Sequence, residues 1–482
     1  MAKYRPSNSF MLAMVSLCPL VIAVSYGLLP ELESMKNPPI PGEIKFRKER
    51  PNFRTQGPRV SESQRSGSGW SMDWFEETYE NLMSWDKNPW KTKLVGIGDH
   101  YFGLANSKDP KDQARAKELR RLADILHKQL LERYPELAVA AKHVPPERNG
   151  FLKWLEFSER FSSKSQPKGI EFTEDLVKHL SGNAPWNAEA AKAWLAREKS
   201  LMDEIRAIGL MPEQSIEGID IHRFAFASAR LAKTCSEALL LDARLAAEEG
   251  NVAAALESVQ AANGIAAHFA NVETPSLLAI TVQILLKMQT QKYALTEVMP
   301  ALPAGQLDPA VWEQVLNPKV PEPAEYARVM RGEWSVITRE YLLPVLLDPG
   351  ELKTPPDPDA LLDVYSGYFI NIVQDHEGRA IPDWPHIPAS EIPDISHLSR
   401  RSQKVLENFF IGERGWRKGM ERSLSASAMT QAAFAIMKGQ PLPNDPIYGQ
   451  PYGWDPATRI LSAPTSEDFK KLDLKPITVP KP

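Results

Sequence analysis

The sequence predicts an all-α fold, an irregular multi-helix bundle or solenoid-like stack of helical hairpins, with an N-terminal transmembrane helix and a small C-terminal β-hairpin. Three observations predict it. Residues 10–29, FMLAMVSLCPLVIAVSYGLL, run twenty positions without a charge. Between residues 110 and 438, apolar side chains recur at the three- and four-residue steps of an amphipathic helix. Proline is abundant, 41 of 482 residues, or about 8.5% against a usual ~5%, and it falls between those stretches as punctuation.

The apolar run comes first in the chain. At 1.5 Å per residue it makes about 30 Å of helix, the thickness of a bilayer's hydrocarbon core. Lys3 and Arg5 precede it and Glu31 and Glu33 follow it. Positive flanks stay in the cytoplasm, so residues 1–9 are expected inside, with the protein anchored in the inner membrane and its body in the periplasm or extracytoplasmic space. Pro19 is tolerable in a membrane helix. Two other readings share that topology. A cleaved signal peptide would use residues 10–22 as its apolar core and Ala23-Val24-Ser25 as its cleavage site. A lipoprotein signal would use Cys18, although Leu17 stands where a small residue is wanted. The length of the run favours the anchor.

Residues 30–70 read as a flexible stalk. NPPIPG at 37–42, mixed charges at 45–54 and SESQRSGSG at 61–69 offer little to bury. Residues 71–440 form the helical ectodomain, with a possible break into two subdomains near 300–325, and residues 441–482 a hairpin and extended tail. The first helix is expected at 72–85, and others at 110–133, 149–161, 173–180 and 187–208. The clearest unit spans 220–298. Phe224, Ala227, Leu231, Cys235, Ala238, Leu241 and Leu245 form one seam, Gly250 a stop and Asn251 a cap. Val252, Leu256, Val259, Ala262 and Ala266 repeat the pattern, and Thr274-Pro275 opens a third helix. Three antiparallel helices with short turns make a bundle or solenoid unit. No second copy recurs at a fixed period, so a regular repeat array is not supported. Helices resume from 308 to 341, clearest at 324–341, and again at 398–438. Proline-rich breaks are expected at 344–358 and 380–393. Residues 452–454 and 459–461 are expected to pair around Asp455-Pro456.

Charge and cysteine content narrow the function. The chain is net −4. Residues 31–70 hold eight basic and five acidic side chains, and the body beyond residue 70 is net −9. An acidic body opposes nucleic-acid binding, which needs a basic face. Cys18 lies in the apolar run, so it is not expected to pair with Cys235, and no zinc-type cluster is present.

Four segments carry a family resemblance: the N-terminal apolar run; LLLDARLAAEEGN at 239–251 with its alanine-rich sequel; Met330-Arg331-Gly332-Glu333; and LPNDPIYGQP at 442–451. Together they resemble uncharacterised exported or membrane-anchored helical proteins of planctomycete and verrucomicrobial bacteria. The terminal segment is more distantly similar to pseudopilin-like chains. The resemblance covers 220–300, 325–340 and 400–465, and Tyr452-Gly453-Trp454 departs from the family's usual ending. It implies location and fold, and no activity.

Catalytic signatures are sparse. HExxH, a phosphate loop, GxGxxG and GxSxG are all missing. Arg331, Glu333 and Trp334 are the binding candidates, a charged and aromatic cluster suited to a groove between helices. The competing reading gives Glu333 a structural pair with Arg328 or Arg339, or a cap on a neighbouring helix. His222 and His268 could approach one another, and Asp363, Asp375, His376 and Glu377 could gather near a cation. Twelve tryptophans raise carbohydrate binding, and Asp445 and Asp455 raise calcium, though Asp-Pro turns need no metal. No cofactor is expected. The expected function is a non-enzymatic scaffold or protein-binding module of the cell envelope, tied to the membrane by its N-terminal helix and meeting envelope proteins. The alternative is an exported hydrolase acting on an envelope or extracellular polymer, with an acidic cleft near 325–380. The topology is tested by fusing alkaline phosphatase, which needs its disulfides, after residue 70: activity is expected in cells, and a fusion that is made but stays inactive, its cysteines kept reduced by the cytoplasm, would overturn the placement.

Overall fold

An aspartate followed by proline opens three of the helices and accounts for part of the proline excess. In the computed structural model, α1 (Pro110–Arg133), α9 (Pro309–Leu316) and α12 (Pro358–His376) each begin on such a pair. The carboxylates of Asp109, Asp308 and Asp357 accept backbone N–H groups of the first turn. Proline, which has no N–H to satisfy, takes the first helical position. The structure describes residues 46 and 104 and the chain from 107 onward, apart from 163–169, 220–226, 319–321, 349–356, 388–389, 391, 410–412, 471 and 473. The expected membrane segment at 10–29, nearly all of the stalk and the expected helix at 72–85 lie outside the described residues. Among the described residues, no helix is long and apolar enough to cross a membrane.

The helices between α1 and α9 follow the sequence pattern closely. They are α2 (Gly150–Ser162), α3 (Glu174–Leu180), α4 (Ala188–Arg197), α5 (Lys199–Gly209), α6 (Ala227–Glu248), α7 (Val252–Ala270) and α8 (Leu277–Tyr293). The single helix expected at 187–208 is divided at Glu198, whose backbone leaves helical geometry at φ −95° and ψ 16°. Gly250 takes a left-handed φ of 75° and stops α6, and Asn251 caps α7 by accepting from the Ala254 N–H. The cap of α8 is Ser276, not Thr274: its hydroxyl accepts from the Ala279 N–H at 3.1 Å. A π-helical turn at Ala294–Val298 and a 3-10 turn at Met299–Ala301 extend α8.

Later in the chain, α10 (Pro323–Ile337) continues through a π-helical turn (Thr338–Leu342) into α11 (Leu343–Leu347). The wider turn absorbs Pro344, which would otherwise break the ladder where the sequence suggests a stop. The sequence offered no element for α12. Its Leu361, Val364, Tyr365, Phe369, Ile370 and Val373 are buried around most of its circumference, so an amphipathic stripe is missing. The region expected at 398–438 contains α13 (Arg400–Phe409) and α14 (Glu413–Met437). The expected hairpin forms from β1 (Gly453–Asp455) and β2 (Ile460–Ser462), with Trp454 opposite Leu461. A third antiparallel strand, β3 (Ile477–Thr478), pairs with β2, and a short α15 (Glu467–Lys470) lies between.

The apolar interior falls into two clusters. One gathers Leu119, Leu126 and Leu130 of α1, Met330 and Trp334 of α10, and the buried face of α12. The other gathers Trp154 of α2, Trp194 of α4, the alanine-rich faces of α6 and α7, and Leu461 and Val479 of the tail. Three helices belong to both: α7 sends Ala270 to the first and Ile265 to the second, α8 sends Ile280 and Ile284 to the first and Leu286 to the second, and α14 divides between Leu424 and Phe434.

Glycine sets the closest approach in the second cluster. A Cβ on Gly264 of α7 would lie 1.6 Å from the carbonyl oxygen of Gly209, and one on Gly209 would lie 2.3 Å from that of Ala261. Backbone cannot yield as a side chain tip can, so Gly264→Ala must push α5 and α7 apart. The expected loss is about 1–3 kcal/mol, the usual range for overpacking, read by chemical denaturation. A variant as stable as the parent would mean the helices do not meet at this point.

Candidate functional site

Arg331, Glu333 and Trp334 lie within one turn of α10 but serve three different neighbours. The Arg331 guanidinium donates from Nε to the Glu136 carbonyl at 2.8 Å and from Nη2 to Glu377 at 2.7 Å. Trp334 is fully buried. Its Nε1 donates to Ser366 Oγ at 3.0 Å, and its ring meets the edge of Tyr134. Glu333 points the other way and accepts the N–H of Leu277, the first residue of α8, at 2.8 Å. At about 100° per residue Glu333 faces away from Arg331, and Trp334, only about 60° from Arg331, turns to Ser366 while Arg331 reaches Glu136 and Glu377. They do not converge on a shared groove.

Their roles follow from helix ends. The first N–H groups and last C=O groups of a helix have no partner within it. Arg328 of α10 donates to the carbonyls of Ala270 at 3.0 Å and Val272 at 2.7 Å, at and just beyond the end of α7. Glu333, five residues on, takes the first N–H of α8. Opposite charges thus sit on the opposite dipole ends of successive helices. Gly332 makes this possible: a Cβ there would lie 2.2 Å from the Pro275 carbonyl oxygen. The helix-cap role for Glu333 is the geometry present. Burial pushes its carboxyl up to about 7, against the opposing pull of the Leu277 N–H.

Other sequence candidates are also engaged structurally. His222 lies outside the described residues. His268 is buried, with Nε2 2.7 Å from the Ile208 carbonyl and Nδ1 3.2 Å from Gln214 Nε2. Burial holds His268 down to about 4. Asp363 accepts from Arg133 at 2.7 Å and from the Tyr134 hydroxyl. His376 bonds back to the Ile372 carbonyl at 2.8 Å, while Glu377 pairs with Arg331. Among the described residues, no group of three or more His, Cys, Asp or Glu side chains is arranged to hold a metal ion. Asp445 accepts the N–H groups of Ile447 and Tyr448, and Asp455 those of Ala457 and the Thr458 hydroxyl. These are aspartate turns. Trp154, Trp194, Trp312, Trp334 and Trp384 are interior and present no carbohydrate platform.

Ion pairs bind α1 along the helices beside it. Arg115 pairs with Asp348, Arg120 with Glu340, Arg339 with Asp124, and Arg133 with Asp359 and Asp363. Most of these groups are largely buried, where losing one partner strands the other's charge.

A concave site lies elsewhere. A cavity of about 700 Å³ opens between α3, α6, α8, α14 and the tail segment leading into β3. Phe172, Leu180, Leu285, Met288, Met429 and Ile477 supply apolar walls. Lys233, Lys292, Arg422 and Lys475 reach it from four different segments, and Glu237 is the acidic side chain among its lining residues. Glu237 lies 3.6 Å from Lys233 and accepts from Gln289 at 3.0 Å. Arg422 and Gln291 are buried, whereas Lys292, Thr296 and Lys475 stand at the exposed rim. Sequence reasoning missed this site because no two walls are near in sequence. The available signal was local: Arg422 stands immediately before the Ser-, Ala- and Met-rich stretch that begins at residue 423 of α14.

Glu333 yields a pH test. Its carboxyl is raised from about 4.5 to about 7, so it contributes stability that is full below pH 4.5 and lost as pH rises through 7. Glu333→Gln keeps an acceptor for Leu277 and removes the titration. Relative to the parent, this variant should gain on the order of 3 kcal/mol between those limits. His127, His268 and His376, all held near 4, lose stability as pH falls below 6.5, equally in both proteins. Urea unfolding from pH 4 to pH 8 reads the difference, and a pH-independent difference would overturn the assignment.

Comparison with protein-family models, curated proteins and solved structures finds no match to the chain.

Proposed function

We propose that this protein is a membrane-tethered, non-enzymatic binding module of the cell envelope, and that the pocket among α3, α6, α8, α14 and the tail holds its ligand. The carrying observation is the chemistry of that pocket. Its walls are apolar, its polar groups are mostly donors, and the one carboxylate among its described lining residues, Glu237, is tied to Lys233 and Gln289. Such a lining recognises and holds a molecule; proton transfer needs an acid and a base facing a substrate. The tether rests on the charge-free run at 10–29, with its basic flank at Lys3 and Arg5. The resemblance to exported helical proteins accords with the same placement. Envelope partners meet the protein through this face.

The hydrolase reading draws less support. The carboxylates expected to form its cleft are used otherwise: Glu333 on a helix end, Asp359 and Asp363 on Arg133, Glu377 on Arg331.

A photo-crosslinking amino acid tests the reading in cells making the full chain. Placed at Val177, an exposed residue lining the pocket, it should form a discrete adduct. Placed at Ile125, exposed on α1, it should not. Met288→Trp, which fills the cavity, should abolish the Val177 adduct. Absence of an adduct at Val177, or one indifferent to Met288→Trp, would sink the proposal.

A further inference from the structure

We infer that the pocket takes a single-chain anionic amphiphile, an alkyl chain ending in a carboxylate or a phosphate; this rests on the binding-module reading above. Three observations lead to it. The first is size and lining. A cavity of about 700 Å³ walled by Leu180, Leu285, Met288 and Met429 falls within the range of small-molecule sites, about 300–1,000 Å³. Unbranched, adaptable methionines on two facing helices suit a flexible chain better than a rigid ring.

The second is charge. The body beyond residue 70 is net −9, yet the described lining of the cavity brings together Lys233, Lys292, Arg422 and Lys475 with the carboxylate of Glu237. The four cations come from α6, α8, α14 and the tail, so folding gathers them. They form a gradient, from buried Arg422 through half-buried Lys233 to the exposed rim at Lys292 and Lys475. A guanidinium and ammonium groups beside apolar walls recognise an oxyanion attached to a chain.

The third is a polar group in waiting. Gln291 lines the cavity, is only 2% exposed, and its Nε2 finds no hydrogen-bond partner among the described residues. A buried donor left unmade is costly. An acceptor oxygen on a bound head group would satisfy it, which the hydrocarbon of a neutral alkane could not.

The test uses the full chain in phosphatidylcholine nanodiscs and hexadecanoic acid carrying a diazirine on its terminal carbons. After illumination, mass spectrometry should map label to pocket residues of α8 and α14. Unlabelled hexadecanoate and hexadecyl phosphate are separate competitors, and the stronger one identifies the head group. Hexadecyltrimethylammonium, hexadecanol and an acidic decapeptide should compete poorly. The rim variant Lys292→Gln/Lys475→Gln, at exposed positions that spare the fold, should weaken labelling about ten-fold. Met288→Trp should abolish it, with circular dichroism confirming helix content. Label outside the pocket only, equal competition by the cationic or neutral amphiphile, displacement by the peptide, or indifference to the rim variant would each overturn the inference. If these fail while the Val177 adduct persists, the anionic ligand is wrong and the binding module stands; if the adduct is missing as well, both fall.

Discussion

One helix secures the corner between two earlier ones. At α10, Arg328 holds the carbonyls at the end of α7 and Glu333 holds the first N–H of α8. Gly332 between them lets the backbones meet. The two charges lie five residues apart, so the rise along α10 spans the turn that joins α7 to α8. This arrangement orients α8, and α8 carries apolar residues into both clusters of the interior. It also supplies Leu285, Met288 and Gln291 to the pocket. A slip of this contact would therefore disturb packing on both sides and the cavity together. Burying a carboxylate for the purpose carries an electrostatic cost, visible in its raised pKa.

The ion pairs of α1 work differently. They run along a helix whose apolar face already packs on α10 and α12. Arg115, Arg120 and Arg133 recur along it and each finds an acid from a different later segment. Buried pairs of this kind add little net stability over a well-packed apolar contact, but mismatching them is expensive. We take them as setting the register between α1 and the helices around it.

Much of the fold was legible because its cause is local. The cap at Asn251, the stop at Gly250 and the hairpin around Asp455 follow from side chains acting within a few residues of themselves. Features with distant causes were not legible. A helix buried on nearly all sides, as α12 is, loses the stripe that identifies a helix. The passage of α10 through Pro344 depends on a π-helical turn that no residue pattern announced. Met330-Arg331-Gly332-Glu333 stands out in the sequence, where Glu333 reads as part of a groove, as a partner of Arg328 or Arg339, or as a helix cap, and the approach of Pro275 and the Leu277 N–H, distant in sequence, distinguishes them. The pocket was invisible for the same reason in stronger form, since Phe172, Lys233, Met288, Arg422 and Ile477 share no local pattern.

The tail segment at 474–477 closes the pocket, and its strand joins a sheet whose other members begin only at Gly453. A wall contributed so late has a bearing on biogenesis. As the chain emerges, α3, α6 and α8 can pack while the cavity still gapes on one side, and loop closure over such separations is slow. The cavity is therefore enclosed only after its other walls have packed. A ligand of the proposed kind, present at that moment, would act as a template and favour the docked tail segment by mass action.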